Sequence, residues 1–126
     1  MIAARVAWLY LLAYLLAVVV AVTATARAGS PLLAVASAYS TAESTGVEGC
    51  TGRRLRDDTL TLATYLVPCG VRVRVCVGSR CVTATRTDSG PHVAGRGFDL
   101  ALGTVRALGF TSARAFGVRV IEWRRA

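Results

Sequence analysis

The chain has 126 residues, 54% of them hydrophobic, with a formal net charge of +8 in which all 15 basic residues are arginine. That length allows one small domain with a modest core, and the absence of heptads, repeats and long low-complexity runs excludes coiled-coil and solenoid architectures. The positive balance predicts attraction to polyanions, which outside a cell means wall polymers or lipid headgroups. Nucleic acid is not expected as a partner, because the arginines are scattered and no aromatic row accompanies them.

In chain order, residues 1–5 form a short basic start and residues 6–26 contain no charge. Small residues follow at Ala24-Thr25-Ala26 and Ala26-Arg27-Ala28, completing the pattern of a secretory signal peptide over residues 1–28. The uncharged run is also long enough to span a bilayer, so residues 6–26 as an uncleaved membrane anchor are the alternative. Either way the remainder is expected to be secreted or extracytoplasmic, with membrane contact only through the N-terminal segment. Residues 29–33 read as a leader, and residues 34–126 as the domain, in which 13 arginines face seven acids for a net charge of about +6.

Within that domain residues 34–40 (AVASAYS) read as a first strand and residues 41–49 as a polar loop. Residues 50–58 are irregular and arginine-rich, while residues 59–67 are mostly apolar and β-branched. The clearest signal is residues 71–77 (VRVRVCV), whose valines share one face and whose Arg72, Arg74 and Cys76 share the other. A turn at Gly78-Ser79-Arg80 returns the chain as residues 81–86, making a hairpin. Residues 101–108 read as a short helix closed by Gly109. Residues 117–123 form a final strand, with Val118, Val120 and Glu122 on one face and Arg119, Ile121 and Trp123 on the other. A small, mainly β barrel is the natural closed solution, since it leaves few bare edges.

Four cysteines in an exported chain read as two disulfides. Of the three possible pairings, local geometry favours Cys50–Cys69 and Cys76–Cys81. No CxxC pair is present, so a metal site is not expected, and no cofactor is implied.

The candidate chemistry lies in residues 86–109, where Asp88 precedes a Ser89-Gly90-Pro91 turn and Asp99 precedes the helical pattern. Two acids brought to one face suit sugar chemistry or sugar binding. The plainer reading makes Asp88 a turn opener and Asp99 a helix cap.

Several stretches resemble the RlpA-like (rare lipoprotein A) domain. They are Ala36-Ser37-Ala38-Tyr39, the run from Thr61 to Gly70, Thr87-Asp88-Ser89-Gly90-Pro91, Gly95-Arg96-Gly97-Phe98-Asp99-Leu100, Arg106-Ala107-Leu108-Gly109 and Gly117-Val118-Arg119-Val120. The likeness implies a six-stranded double-psi β-barrel with one or two short helices, also found in expansins and barwin-like endoglucanases. It further implies an exported protein that binds or remodels peptidoglycan or another wall polysaccharide.

Members of that family act as lytic transglycosylases through a Glu, a His and an Asp. Carried onto this sequence, the Asp is Asp88, while the Glu falls at Arg53 and the His at Thr64. Arginine stays protonated near neutral pH and threonine does not titrate, so most of the catalytic set is missing. Glu43 or Glu48 would have to reach the groove from the loop to replace it. The alternatives are therefore an active transglycosylase or glycan hydrolase using Asp88 and Asp99, and a secreted partner-binding module without catalysis. Tyr39, His92 and Arg53 are the expected substrate-binding residues. His92 either tunes Asp88 or sits exposed on the turn, and Trp123 and Tyr39 either stack on sugar or pack the core and rim.

Overall fold

The computed structural model describes residues 2–25, 30–44 and 46–126, which form two compact units, Met1–Ser30 and Pro31–Ala126. The first is a single helix, α1 (Ile2–Thr25), and its stretch Ile2–Val19 is long and apolar enough to cross a membrane. That fits a signal peptide or an anchor. The expected cleavage positions at residues 26–28 lie outside the described residues.

The second unit is a closed barrel in the order β1-β5-β2-β4-β3-β6. Its strands are β1 (Leu32–Tyr39), β2 (Thr61–Thr64), β3 (Arg72–Val77), β4 (Arg80–Asp88), β5 (Phe98–Ala101) and β6 (Arg119–Arg125). The β1–β5 and β2–β4 pairs are parallel and the other four are antiparallel. The expected leader is partly strand: Leu32 and Leu33 pair with Trp123 and Glu122, so β1 starts two residues early. β6 likewise runs on to Arg125, whose neighbour Arg124 pairs with Arg74 of β3.

The hairpin turn is shorter than three residues, because Arg80 already pairs with Val77. Gly78 carries φ +58 and Ser79 does not, which is the pattern of a two-residue II′ turn. Alternation then decides the faces. Val73, Val75, Ala84 and Ile121 point inward and are fully buried, while Arg72, Arg74, Val120 and Glu122 stay exposed.

Two elements depart from the sequence reading. Phe98–Ala101 is a strand, not an approach to a helix, because β1 and β2 hydrogen-bond to it on both sides. Helix α2 (Leu102–Ala107) follows directly, with Ala101 at its N-cap and no side-chain cap, so Asp99 caps nothing. A further short helix, α3 (Ala113–Phe116), starts at Ser112, whose hydroxyl accepts from the Ala115 amide at 3.0 Å.

Phe98, Phe116, Leu62, Leu100, Leu108 and Ile121 fill the interior, and Phe98 meets Trp123 edge-on at 5.1 Å. Trp123 is thus a core residue with no surface for sugar stacking. Disulfides join Cys50 to Cys69 and Cys76 to Cys81. Every core residue lies between Ala36 and Trp123, so a chain beginning at Ser30 has the whole core, six strands and both disulfides and folds on its own.

Candidate functional site

Strand β2 organises the site. Ala63 pairs with Asp99 of β5 on one side and with Asp88 of β4 on the other, past a bulge between Leu62 and Ala63. The two acids therefore stand two strand spacings apart, about 9–10 Å between Cα atoms. Both line an open hollow of about 170 Å³ that also takes in Tyr39 and His92.

Each acid is held differently. The Gly49 and Ser89 amides both donate to Asp88 Oδ1 at 2.8 Å. A Cβ at position 49 would stand 3.2 Å from that oxygen, so a larger residue there would push the carboxylate aside by a few tenths of an ångström. Arg86 braces the turn from behind, donating to the carbonyls of Asp88 and Val67 and to the Ser89 hydroxyl. Asp88 does open a turn, and it also faces the hollow.

Asp99 accepts from the Ser37 hydroxyl at 3.1 Å. Burial raises its pKa above the ordinary carboxylate value, and the charges of Asp88 and Glu43 add to that rise. The Ser37 bond and the charge of Arg96 oppose it without cancelling it. Glu43 is exposed, so the loop carboxylate that Asp99 senses stands in solvent.

Tyr39 contributes the site's unsatisfied group. Its hydroxyl is buried and has no hydrogen-bond partner among the described residues. Burial first, then the charges of Asp88 and Asp99, push its pKa well above the usual tyrosine value, and the nearby Thr61 hydroxyl opposes the rise only in part. A buried hydroxyl without a partner is costly, and it stands beside two carboxyl groups.

Of the remaining expected residues His92 shares the hollow, while Arg53 and Thr64 lie outside it. His92 is exposed, and its Nδ1 lies 3.4 Å from the Tyr65 hydroxyl, so its partner is Tyr65 and not Asp88. Arg53 lines a second concavity of about 130 Å³ together with Glu48, 3.9 Å away. Glu48 is buried there and accepts from the Thr51 hydroxyl at 2.8 Å, so it does not line the hollow of Asp88 and Asp99. Thr64, where the family's His would fall, is fully buried, donates to the Gly97 carbonyl at 2.8 Å and accepts from the Leu66 amide at 3.1 Å. It fastens the barrel.

Ser37 and Ala63 were not anticipated. Ser37 was findable, since it lies two residues before Tyr39 and a strand puts such residues on one face. No group of three or more metal-ligating side chains occurs among the described residues.

The barrel has the double-psi fold, which it shares with two solved structures. The Streptomyces papain inhibitor covers 78% of this chain and 96% of its own, with 20% identity and a TM-score of 0.59. An expansin of Clavibacter michiganensis, solved in its apo form, covers 77% of this chain at 18% identity and a TM-score of 0.58. The match spans 50% of that expansin's length. No protein-family model and no curated protein sequence matches the chain.

Proposed function

We propose that the barrel is an exported binding or remodelling module for cell-wall polysaccharide, peptidoglycan above all, that has lost most of the catalytic set its resemblance implies. The observation that carries this reading is the placement of Asp88 and Asp99 on either side of Ala63, in one open hollow. Sugar hydroxyls donate to such carboxylates, and the Tyr39 side chain lines the same hollow. Arg53, Arg54 and Arg56 line the second concavity and suit an anionic stretch of the polymer. The positions of the family's Glu and His hold an arginine and a buried threonine, which supports binding over turnover.

The test is co-sedimentation with purified peptidoglycan. Binding should weaken with salt, and Asp88→Asn with Asp99→Asn should weaken it about tenfold or more, as two charged hydrogen bonds are lost. Tyr39→Phe should leave binding as it was and the melting temperature unchanged or slightly raised, because the buried hydroxyl makes no protein hydrogen bond. Absence of binding at any salt concentration ends the proposal.

Two other readings have specific support. Asp99, holding its proton unusually well, and Asp88, fixed by two amides, form the acid pair a glycan hydrolase would use. Anhydro-sugar or new reducing ends released from glycan strands, and lost in Asp88→Asn, would establish that enzyme. The likeness to a papain inhibitor instead supports a partner-binding module, for which cross-linking to one specific protein without glycan binding is the signature.

A further inference from the structure

The wall of the barrel farthest from the carboxylate hollow has a different surface. In the ring order, β6 stands three strands from β2 in either direction. On the outer face of β6 and its neighbours, Arg74 pairs directly with Arg124, and Arg72 lies two residues along from Arg74 on the same face of β3. Like charges directly opposite one another destabilise a sheet. Among the described residues none of these three arginines joins an ion pair, and all three are exposed.

Next to them on that outer face lie exposed apolar side chains. Val120 of β6 is 59% exposed and pairs with Val35 of β1, and Leu33 is 70% exposed and pairs with Glu122. Val118, just before β6, adds a third exposed branched side chain. The face is thus basic on its β3 side and apolar on its β1 side, with the single acid Glu122 between them on β6.

We propose that this β3–β6–β1 face docks on an anionic lipid surface, with the arginines meeting headgroup phosphates and Leu33 and Val120 entering the headgroup boundary. Three observations select lipid. Arg74 and Arg124, to which the neighbouring exposed Glu122 makes no ion pair, gain a close counter-charge from headgroup phosphate. The adjoining apolar side chains lose water only against a partner that is also apolar, which a dissolved phosphate polymer is not. Residues 26–31 alone join the membrane-compatible helix to β1, the strand that carries Leu33. Docked in this way, the barrel holds the Asp88–Asp99 hollow on the wall turned away from the bilayer, open to polymer.

The experiment uses the chain beginning at Ser30, with both disulfides formed and α1 absent. It is sedimented with vesicles of equal parts phosphatidylglycerol and phosphatidylcholine, and with vesicles of phosphatidylcholine alone. Only the anionic vesicles should bind it, and about 1 M sodium chloride, where the Debye length is about 3 Å, should release it. Arg74→Gln with Arg124→Gln should weaken binding about 30-fold while leaving peptidoglycan co-sedimentation as it was. Leu33→Ser with Val120→Ser should weaken vesicle binding without altering its salt dependence. Arg106→Gln, an exposed arginine on α2, which packs on β1, β2, β4 and β5, should change neither.

Near-ultraviolet circular dichroism checks that each variant is folded. Equal binding to both vesicle types, or an Arg74→Gln, Arg124→Gln protein that binds like the parent, overturns the proposal. So does binding to soluble polyglycerol phosphate with none to anionic vesicles, and so does a dimer in sedimentation velocity that Leu33→Ser dissolves. Vesicle binding and glycan binding are read separately, so either one fails without the other.

Discussion

Where β3, β4 and β6 meet, the barrel is antiparallel and its inward positions are Val73, Val75, Val82, Ala84, Ile121 and Trp123. Around β2 and β5 the pairing mixes parallel and antiparallel neighbours, a bulge interrupts the register, and buried Thr64 and Ser37 hold their places through side-chain hydrogen bonds. The first wall rests on apolar contact that any strict alternation would supply. The second rests on polar groups whose partners arrive from distant parts of the chain. It is the second wall that carries the carboxyl groups, so the region of richest chemistry is also the one where a single lost hydrogen bond matters most.

The two disulfides give the largest expected contrast. Cys50–Cys69 ties the irregular loop beneath Asp88 to the end of the β2 segment across 19 residues, and Cys76–Cys81 spans five within the hairpin. Replacing both cysteines of the first pair by serine should cost about 3 kcal/mol, and of the second about 2 kcal/mol, by loop-closure entropy. Urea unfolding of the two double variants measures this, and a larger loss in the hairpin would reverse the comparison.

A narrower contrast comes from two threonines. Thr64→Val leaves the Gly97 carbonyl and the Leu66 amide without their partner and should cost about 2 kcal/mol. Thr83→Val, on the outer face of the hairpin, should change stability by less than about 0.5 kcal/mol. Equal losses would mean that the polar wall is not the more exacting one.

The smallest effect is a pH dependence. Because burial raises the Asp99 pKa in the folded chain, the folded state binds its proton more tightly than the unfolded state. Between the ordinary and the raised value, stability falls as pH rises, and the deficit persists at neutral pH. Asp99→Asn should therefore melt higher than the parent at pH 7. The gap should close below about pH 4, where an ordinary aspartate is protonated as well. A constant gap across that range would remove burial as the cause.

The same division explains what could be read from the sequence. The hairpin was legible because VRVRVCV alternates strictly and glycine and serine close it. Residues 98–101 hid their strand because four residues running straight into a helix are too short for a period to show. Helix α3 is equally short. Asp88 and Asp99 were legible from motif and turn chemistry, but their common neighbour Ala63 was not, since it depends on strands paired far apart along the chain. The Ser37–Asp99 bond spans 62 residues, and no local window holds both ends. That the Tyr39 hydroxyl has no partner among the described residues is a fact of packing, which no local stretch of sequence holds.

Leu32 lies opposite Trp123, so the polypeptide enters and leaves the barrel on adjoining strands. A short glycine-serine linker from Ala126 to Ser30 would turn the domain into a covalent circle, and new termini placed between Gly78 and Ser79 would yield a circular permutant. The Cys76–Cys81 bridge would still clasp the cut ends. A reporter fused there would leave the barrel from the opposite end of β3, well away from where β1 begins and β6 ends.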